Sequence, residues 1–136
     1  MNRMRACCVL LTAMMAATAW ASDAVERSLE FTDTICDLGT IVVGSGYHQC
    51  CFEFTNQSDA DVSIIGALSA CGCTVPAYPK QPIRHGEKGM VTVTYDATGR
   101  PEGEIDKTIT LITTGCPQRI NLHITGEAIS FNNTFH

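Results

Sequence analysis

The chain has 136 residues, 45% of them hydrophobic and 17% charged, with a formal net charge of −5 at pH 7. That length accommodates one domain with its own core and leaves little for a second. The acidic balance, without a basic stripe, argues against nucleic-acid binding, where Lys and Arg neutralising phosphates dominate affinity.

Arg3 and Arg5 form a short positive region, followed by an apolar stretch around Val9, Leu10, Leu11, Met14 and Met15. Ala19-Trp20-Ala21 then puts small residues at the −3 and −1 positions of a processing site, so residues 1–21 read as a cleavable signal peptide cut before Ser22. The apolar run falls short of the roughly 20 residues that span a bilayer, which argues against an uncleaved anchor. A lipid-bearing cysteine would follow that run, whereas Cys7 and Cys8 precede or open it. The expected product is a soluble periplasmic or secreted chain with no transmembrane segment. Losing residues 1–21 removes two arginines and no acid, which moves the charge from −5 to −7 (7 basic against 14 acidic residues).

Residues 22–28 read as a linker, 29–129 as the domain and 130–136 as a flexible tail. Leu29-Glu30-Phe31-Thr32 and Ile41-Val42-Val43 look like two pieces of a first strand, interrupted at Asp37-Leu38-Gly39. Gly44-Ser45-Gly46 is a turn. Beyond it Cys50, Phe52 and Phe54 share one face of a strand, while Cys51, Glu53 and Thr55 share the other. Asn56-Gln57-Ser58-Asp59 is turn chemistry, and Val62-Ser63-Ile64 opens the next strand, which ends at Cys71-Gly72-Cys73. Pro76, Pro79 and Pro82 lack amide donors, so the stretch that follows is at best an irregular edge. After the turn Gly86-Glu87-Lys88-Gly89, Val91, Val93 and Tyr95 alternate with threonines. Ile105, Ile109 and Leu111 lie on one face of the next strand, and Ile120, Leu122, Ile124 and Gly126 make the last. No stretch of helical length carries an apolar stripe. About seven short strands with turns every 8–12 residues predict an all-β, immunoglobulin-like sandwich.

Several segments together resemble the bacterial domain of unknown function 1573 family. They are Phe31 with Asp37-Leu38-Gly39-Thr40-Ile41, Phe52-Glu53-Phe54-Thr55-Asn56, and above all Ala70-Cys71-Gly72-Cys73-Thr74. Pro82-Ile83, Gly86-Glu87, Val91-Thr92-Val93, Tyr95 and Gly99-Arg100 follow in the same order, so the resemblance covers about residues 29–128. It implies an immunoglobulin-like sandwich akin to the Hydin and major sperm protein domains, which mostly serve as interaction or scaffold modules. The sequence departs from the family pattern at His85, where a proline is common. Cys36, Cys50, Cys51 and Cys116 are also extra to the usual cysteine pair.

After cleavage six cysteines remain, Cys36, Cys50, Cys51, Cys71, Cys73 and Cys116, and an even count in an exported chain favours disulfides. Six cysteines allow 15 complete pairings. Strand order in a seven-stranded sandwich predicts two groups, Cys36 with Cys116, and Cys50 or Cys51 with Cys71 or Cys73. Cys71 and Cys73 would stand roughly 6.6 Å apart in an extended strand, at the upper limit for a relaxed bridge; a kink at Gly72 would close the gap as a strained small ring, and a strained, exposed bridge is the reactive kind. The leading reading is structural disulfides. Thiol–disulfide exchange at Cys71-Gly72-Cys73 competes with it, although no thioredoxin-like βαβ pattern or neighbouring Lys or Arg supports that chemistry. Binding of a soft, copper-type metal by those thiols with His48, His85 or His123 also competes, although the Cys-x2-Cys zinc spacing is missing. Inert free thiols complete the alternatives.

No catalytic constellation emerges. His123 alternates with Leu122 and Ile124 and so reads as a solvent-facing strand residue. Asp33 and Asp37, or Glu102, Glu104 and Asp106, match no calcium loop and read as solvated turns. The sequence therefore points to a non-enzymatic interaction or scaffold module. It requires no cofactor, and its expected partner is a protein or cell-envelope component. The alternative is a thiol-redox or soft-metal protein that works through Cys71-Gly72-Cys73.

Overall fold

The computed structural model describes residues 27–131. The signal-peptide reading, most of the 22–28 linker and residues 132–136 of the tail lie outside them. Eight strands follow in order: β1 Leu29–Phe31, β2 Ile35–Val42, β3 Tyr47–Asn56, β4 Ile64–Ser69, β5 Thr74–Ala77, β6 Lys88–Asp96, β7 Gly103–Thr113 and β8 Arg119–Ile129. They form two four-stranded sheets, ordered β1-β3-β6-β5 and β2-β8-β7-β4. Among the described residues no helix is long and apolar enough to cross a membrane.

The sandwich expected from the alternation is present, with eight strands where about seven were expected. The extra strand arises at the start. Leu29–Phe31 and Ile35–Val42 are not pieces of one strand, because the chain switches sheets between them. β1 runs antiparallel to β3 in one sheet, and β2 runs parallel to β8 in the other. Asp37-Leu38-Gly39 does not interrupt β2 but bulges it, since the four residues Asp37 to Thr40 lie opposite three, Thr125 to Glu127, on β8. Gly39 sits at φ 67° and its amide donates to Asp37 Oδ1 at 2.8 Å. Gly126 lies directly beneath that bulge. A Cβ there would stand 2.9 Å from the Gly39 carbonyl oxygen.

Alternation builds the core. Cys50, Phe52 and Phe54 of β3 and Val91, Val93 and Tyr95 of β6 point inward from one sheet. Ile105, Ile109 and Leu111 of β7 and Leu122 and Ile124 of β8 meet them from the other, all buried. Each such side chain contributes roughly 1.5–3 kcal/mol before chain entropy is subtracted. Cys51 and Glu53 are exposed on the outer face of β3. The proline-bearing segment is an edge strand, β5, as its missing donors require.

At the end of β3, Asn56 is fully buried and fully used. Its Nδ2 donates to the carbonyls of Ala60 (2.9 Å) and Ile83 (2.8 Å), and its Oδ1 accepts from the amide and hydroxyl of Ser58 at 2.9 and 2.7 Å. One side chain thereby holds the turn after β3 against the segment that enters β6.

Candidate functional site

The six cysteines of the domain divide into two bridges and two thiols. Cys36 of β2 is bonded to Cys50 of β3, and Cys71 to Cys73, while Cys51 and Cys116 are free and exposed. This corrects the expected grouping, and strand geometry explains each difference. Cys36 and Cys50 are separated by 14 residues, and Val43, beside the Gly44-Ser45-Gly46 turn, falls midway between them. The turn therefore brings them level on facing sheets, with their α-carbons 6.0 Å apart. Alternation then decides between neighbours, turning Cys50 inward and Cys51 outward.

Cys116 does lie at the end where the first strand begins, but its partner there is Ser28. The Ser28 amide donates to the Cys116 carbonyl at 2.7 Å, and the Cys116 amide donates to Ser28 Oγ at 2.9 Å. Cys36 is eight residues further along the chain. Thr74, next to Cys73, is level with Tyr95 and through it with His48, so Cys71 and Cys73 do reach the end where β3 starts. β6 intervenes between β5 and β3. Two strand spacings, roughly 9–10 Å, then separate the two groups and forbid a bridge.

The Cys71-Gly72-Cys73 turn occupies a particular place. β4 is the last strand of one sheet and β5 the last strand of the other, so the turn carries the chain from sheet to sheet along one side of the sandwich. The turn brings the two α-carbons to 5.2 Å, inside the range of a relaxed bridge. Cys73 is buried at 1% exposure, Cys71 is half-buried and Gly72 is exposed. Two hydroxyls clamp the turn from behind. Ser69 Oγ donates to the Cys71 carbonyl at 2.9 Å and also hydrogen-bonds to Thr74 Oγ1, while the Thr74 amide donates to the same carbonyl at 3.3 Å. The Cys73 carbonyl accepts from the Asp96 amide at 2.7 Å, and the Cys73 amide donates to Cys71 Sγ at 3.2 Å. Thr74 belongs to the motif singled out in the sequence, whereas nothing in the sequence marks Ser69.

The histidines are dispersed. His48 bonds Ser45 Oγ at 2.7 Å, His85 bonds the Ser58 carbonyl at 2.6 Å, and His123 bonds Thr108 Oγ1 at 3.1 Å from the outer face of β8. Among the described residues no group of three or more His, Cys, Asp or Glu side chains is placed to hold a metal ion. With both sulfurs of the turn bonded to each other, a thiolate metal site has no ligands there in this state.

Beside this turn the edges themselves are chemically open. Among the described residues β4 pairs with β7 on one side only, and its Ile65 and Leu68 are 63% and 55% exposed. Val75 on β5 is 62% exposed.

A family model described as a protein of unknown function (DUF1573) matches residues 29–128, most of the chain. No curated protein matches the sequence. Among solved structures, a protein of unknown function from Porphyromonas gingivalis W83 is similar at 13% identity and a TM-score of 0.62, over 74% of this chain and 46% of that one. The secreted serine protease VesC from Vibrio cholerae is similar at 13% identity and a TM-score of 0.58, over 76% of this chain and 23% of the protease. The human ASH/PapD-like domain 7 of CEP192 is similar at 12% identity and a TM-score of 0.57, over 77% and 87%. The chain thus spans less than half of the first two proteins. At these identities the likeness concerns the fold alone, which is immunoglobulin-like and of PapD type.

Proposed function

The chain belongs to the DUF1573 family, and from that premise and the fold we propose that it is a non-catalytic, immunoglobulin-like interaction module of the periplasm or cell exterior. Its partner is an extended segment of an envelope protein, added as a further strand alongside β4. The observation that carries this reading is the open β4 edge. Among the described residues its outward backbone groups have no neighbouring strand, and Ile65 and Leu68 are exposed beside them. Soluble proteins usually blunt such an edge with charge, proline or a covering loop. Here β4 carries none of the charged or proline residues. Strand addition uses the free backbone for affinity and alternate side-chain contacts for specificity.

Two disulfides support an oxidising compartment, where such bonds persist, and the leader-like residues 1–21 support export. Under this reading the acidic and histidine side chains serve solvation and turn structure.

Photo-crosslinking tests the proposal. A photoreactive residue at Leu68 should give a discrete adduct in the envelope fraction of the source organism, and one at Glu53, on the centre of the other sheet, should not. Equal labelling from both positions, or none from Leu68, overturns it.

A further inference from the structure

Independently of any partner at the β4 edge, we infer that Cys71-Gly72-Cys73 is a reversible dithiol–disulfide couple. Cys71 is the sulfur that exchanges with an outside dithiol, and Cys73 is the sulfur that closes the bridge.

Four features carry the inference. With one residue between the cysteines, the bridge closes a very short loop, so it contributes less to holding the fold than Cys36–Cys50 does. The turn does not depend on it, because Ser69, Thr74 and the Asp96 amide hold both peptide carbonyls by hydrogen bonds that involve neither sulfur. The clamp keeps the α-carbons close enough for the bond to re-form. Exposure is asymmetric, since Cys71 is half-buried at the surface and Cys73 is buried. Access selects which sulfur is attacked in thiol–disulfide exchange. The Cys73 amide, which donates to Cys71 Sγ at 3.2 Å, also favours an anion on that sulfur once the bond is open.

The chemistry balances with a dithiol as the reductant. A thiolate of the dithiol attacks Cys71 Sγ, forming a mixed disulfide and expelling the Cys73 thiolate, which takes up a proton. The second thiol of the reductant then attacks its own sulfur in that mixed bond and frees Cys71. Two electrons have passed to the bridge, and the reductant leaves as a cyclic disulfide. Run in reverse, Cys71 attacks a disulfide of the outside molecule and Cys73 resolves the adduct. Cys36–Cys50 also pairs a half-buried with a buried cysteine, but it cannot take this part, because it ties β2 of one sheet to β3 of the other and opening it would release that tie.

The test uses the full-length, oxidised protein. It is equilibrated with graded dithiothreitol at pH 7, quenched with an alkylating agent and peptide-mapped, with circular dichroism recorded on each sample. Cys71 and Cys73 should open at a dithiothreitol concentration at least tenfold below that needed for Cys36 and Cys50, with the β spectrum unchanged. Opening of both bridges together, or only with loss of the spectrum, overturns the inference. A second measurement fixes the polarity of the couple. Incubated with oxidised glutathione, Cys73→Ser should acquire glutathione at Cys71, and Cys71→Ser should acquire none at Cys73. The opposite pattern overturns the assignment of roles, and the wild-type titration stands even where a variant fails to fold.

Discussion

Removing the two bridges separately should have unequal consequences, and the difference follows from loop length. In the chain-entropy view a cross-link stabilises by restricting the unfolded state. A closed loop of about 15 residues is worth roughly 3 kcal/mol, and the same relation gives roughly 1.6 kcal/mol for a loop of three. Cys36–Cys50 spans a separation of 14, and Cys71–Cys73 a separation of two. Cys50 and Cys73 are equally buried in the core, so each double variant forfeits packing as well as its bond, and the difference between them comes from loop length. The double variant Cys36→Ala/Cys50→Ala is expected to lose about 3–4 kcal/mol. In a domain of this size that lowers the melting temperature by at least about 12 °C. Cys71→Ala/Cys73→Ala is expected to lose about 1.5–2.5 kcal/mol, because its loop is short and the Ser69 and Thr74 hydrogen bonds remain. Urea unfolding followed by far-ultraviolet circular dichroism measures both variants against the wild type. A Cys71/Cys73 loss equal to or larger than the Cys36/Cys50 loss would refute the reasoning.

Three further outcomes are expected. Asn56→Ala removes four hydrogen bonds and leaves the Ile83 carbonyl with the Val62 amide as its remaining donor, so at about 1 kcal/mol per bond it should cost roughly 3–4 kcal/mol by urea unfolding. Gly126→Ala places a Cβ 2.9 Å from the Gly39 carbonyl and 3.2 Å from Leu38 Cβ, so it should destabilise by about 1–3 kcal/mol and disturb the β2–β8 amide resonances first. The Asp96 carboxyl is held below the ordinary carboxylate range, mainly by the Thr98 amide at 2.9 Å, with the Thr98 side chain and the Arg100 charge assisting. A depressed folded-state value gives stability that is present above the unfolded value and lost as pH falls through the folded one. Asp96→Asn should therefore flatten the acid limb of the stability profile below about pH 4, and a carboxyl titration midpoint in the ordinary range would contradict it.

Most of the sandwich is legible because period-two alternation is a local property. Cys50, Phe52 and Phe54 must face one way once β3 is extended, and all three are buried. The edge character of β5 is legible for the same reason, since a proline withholds its donor wherever it sits. Events that depend on two distant segments are harder to read. The sheet switch between Phe31 and Ile35 leaves no mark in composition, and treating those residues as one strand displaces Cys36 by most of a strand length. That displacement accounts for the mistaken partner of Cys36. The separation of Cys73 from Cys50 requires knowing that β6 lies between their strands, which is a fact of sheet order. Ser69 is invisible for a similar reason, because its hydroxyl acquires a role only when β4 and β5 meet.

The same topology explains why one protein can carry two disulfides of different character. A bridge between facing strands, such as Cys36–Cys50, joins elements that the core already presses together. Opening it exposes a buried sulfur and frees two sheets. A bridge within the crossing from β4 to β5 lies where the chain has left both sheets, so opening its bond involves a single core side chain, that of Cys73, and frees neither sheet. The crossing must run along the outer margin, because β4 and β5 are each the last strand of their sheet. The half-buried Cys71 and the exposed side chains of Leu68 and Val75 consequently lie within a few residues of one another along the chain. A change in the bridge would be felt first at the strand ends on either side of it. If strand addition occurs at β4, the oxidation state of Cys71 and Cys73 has a direct physical route to its strength.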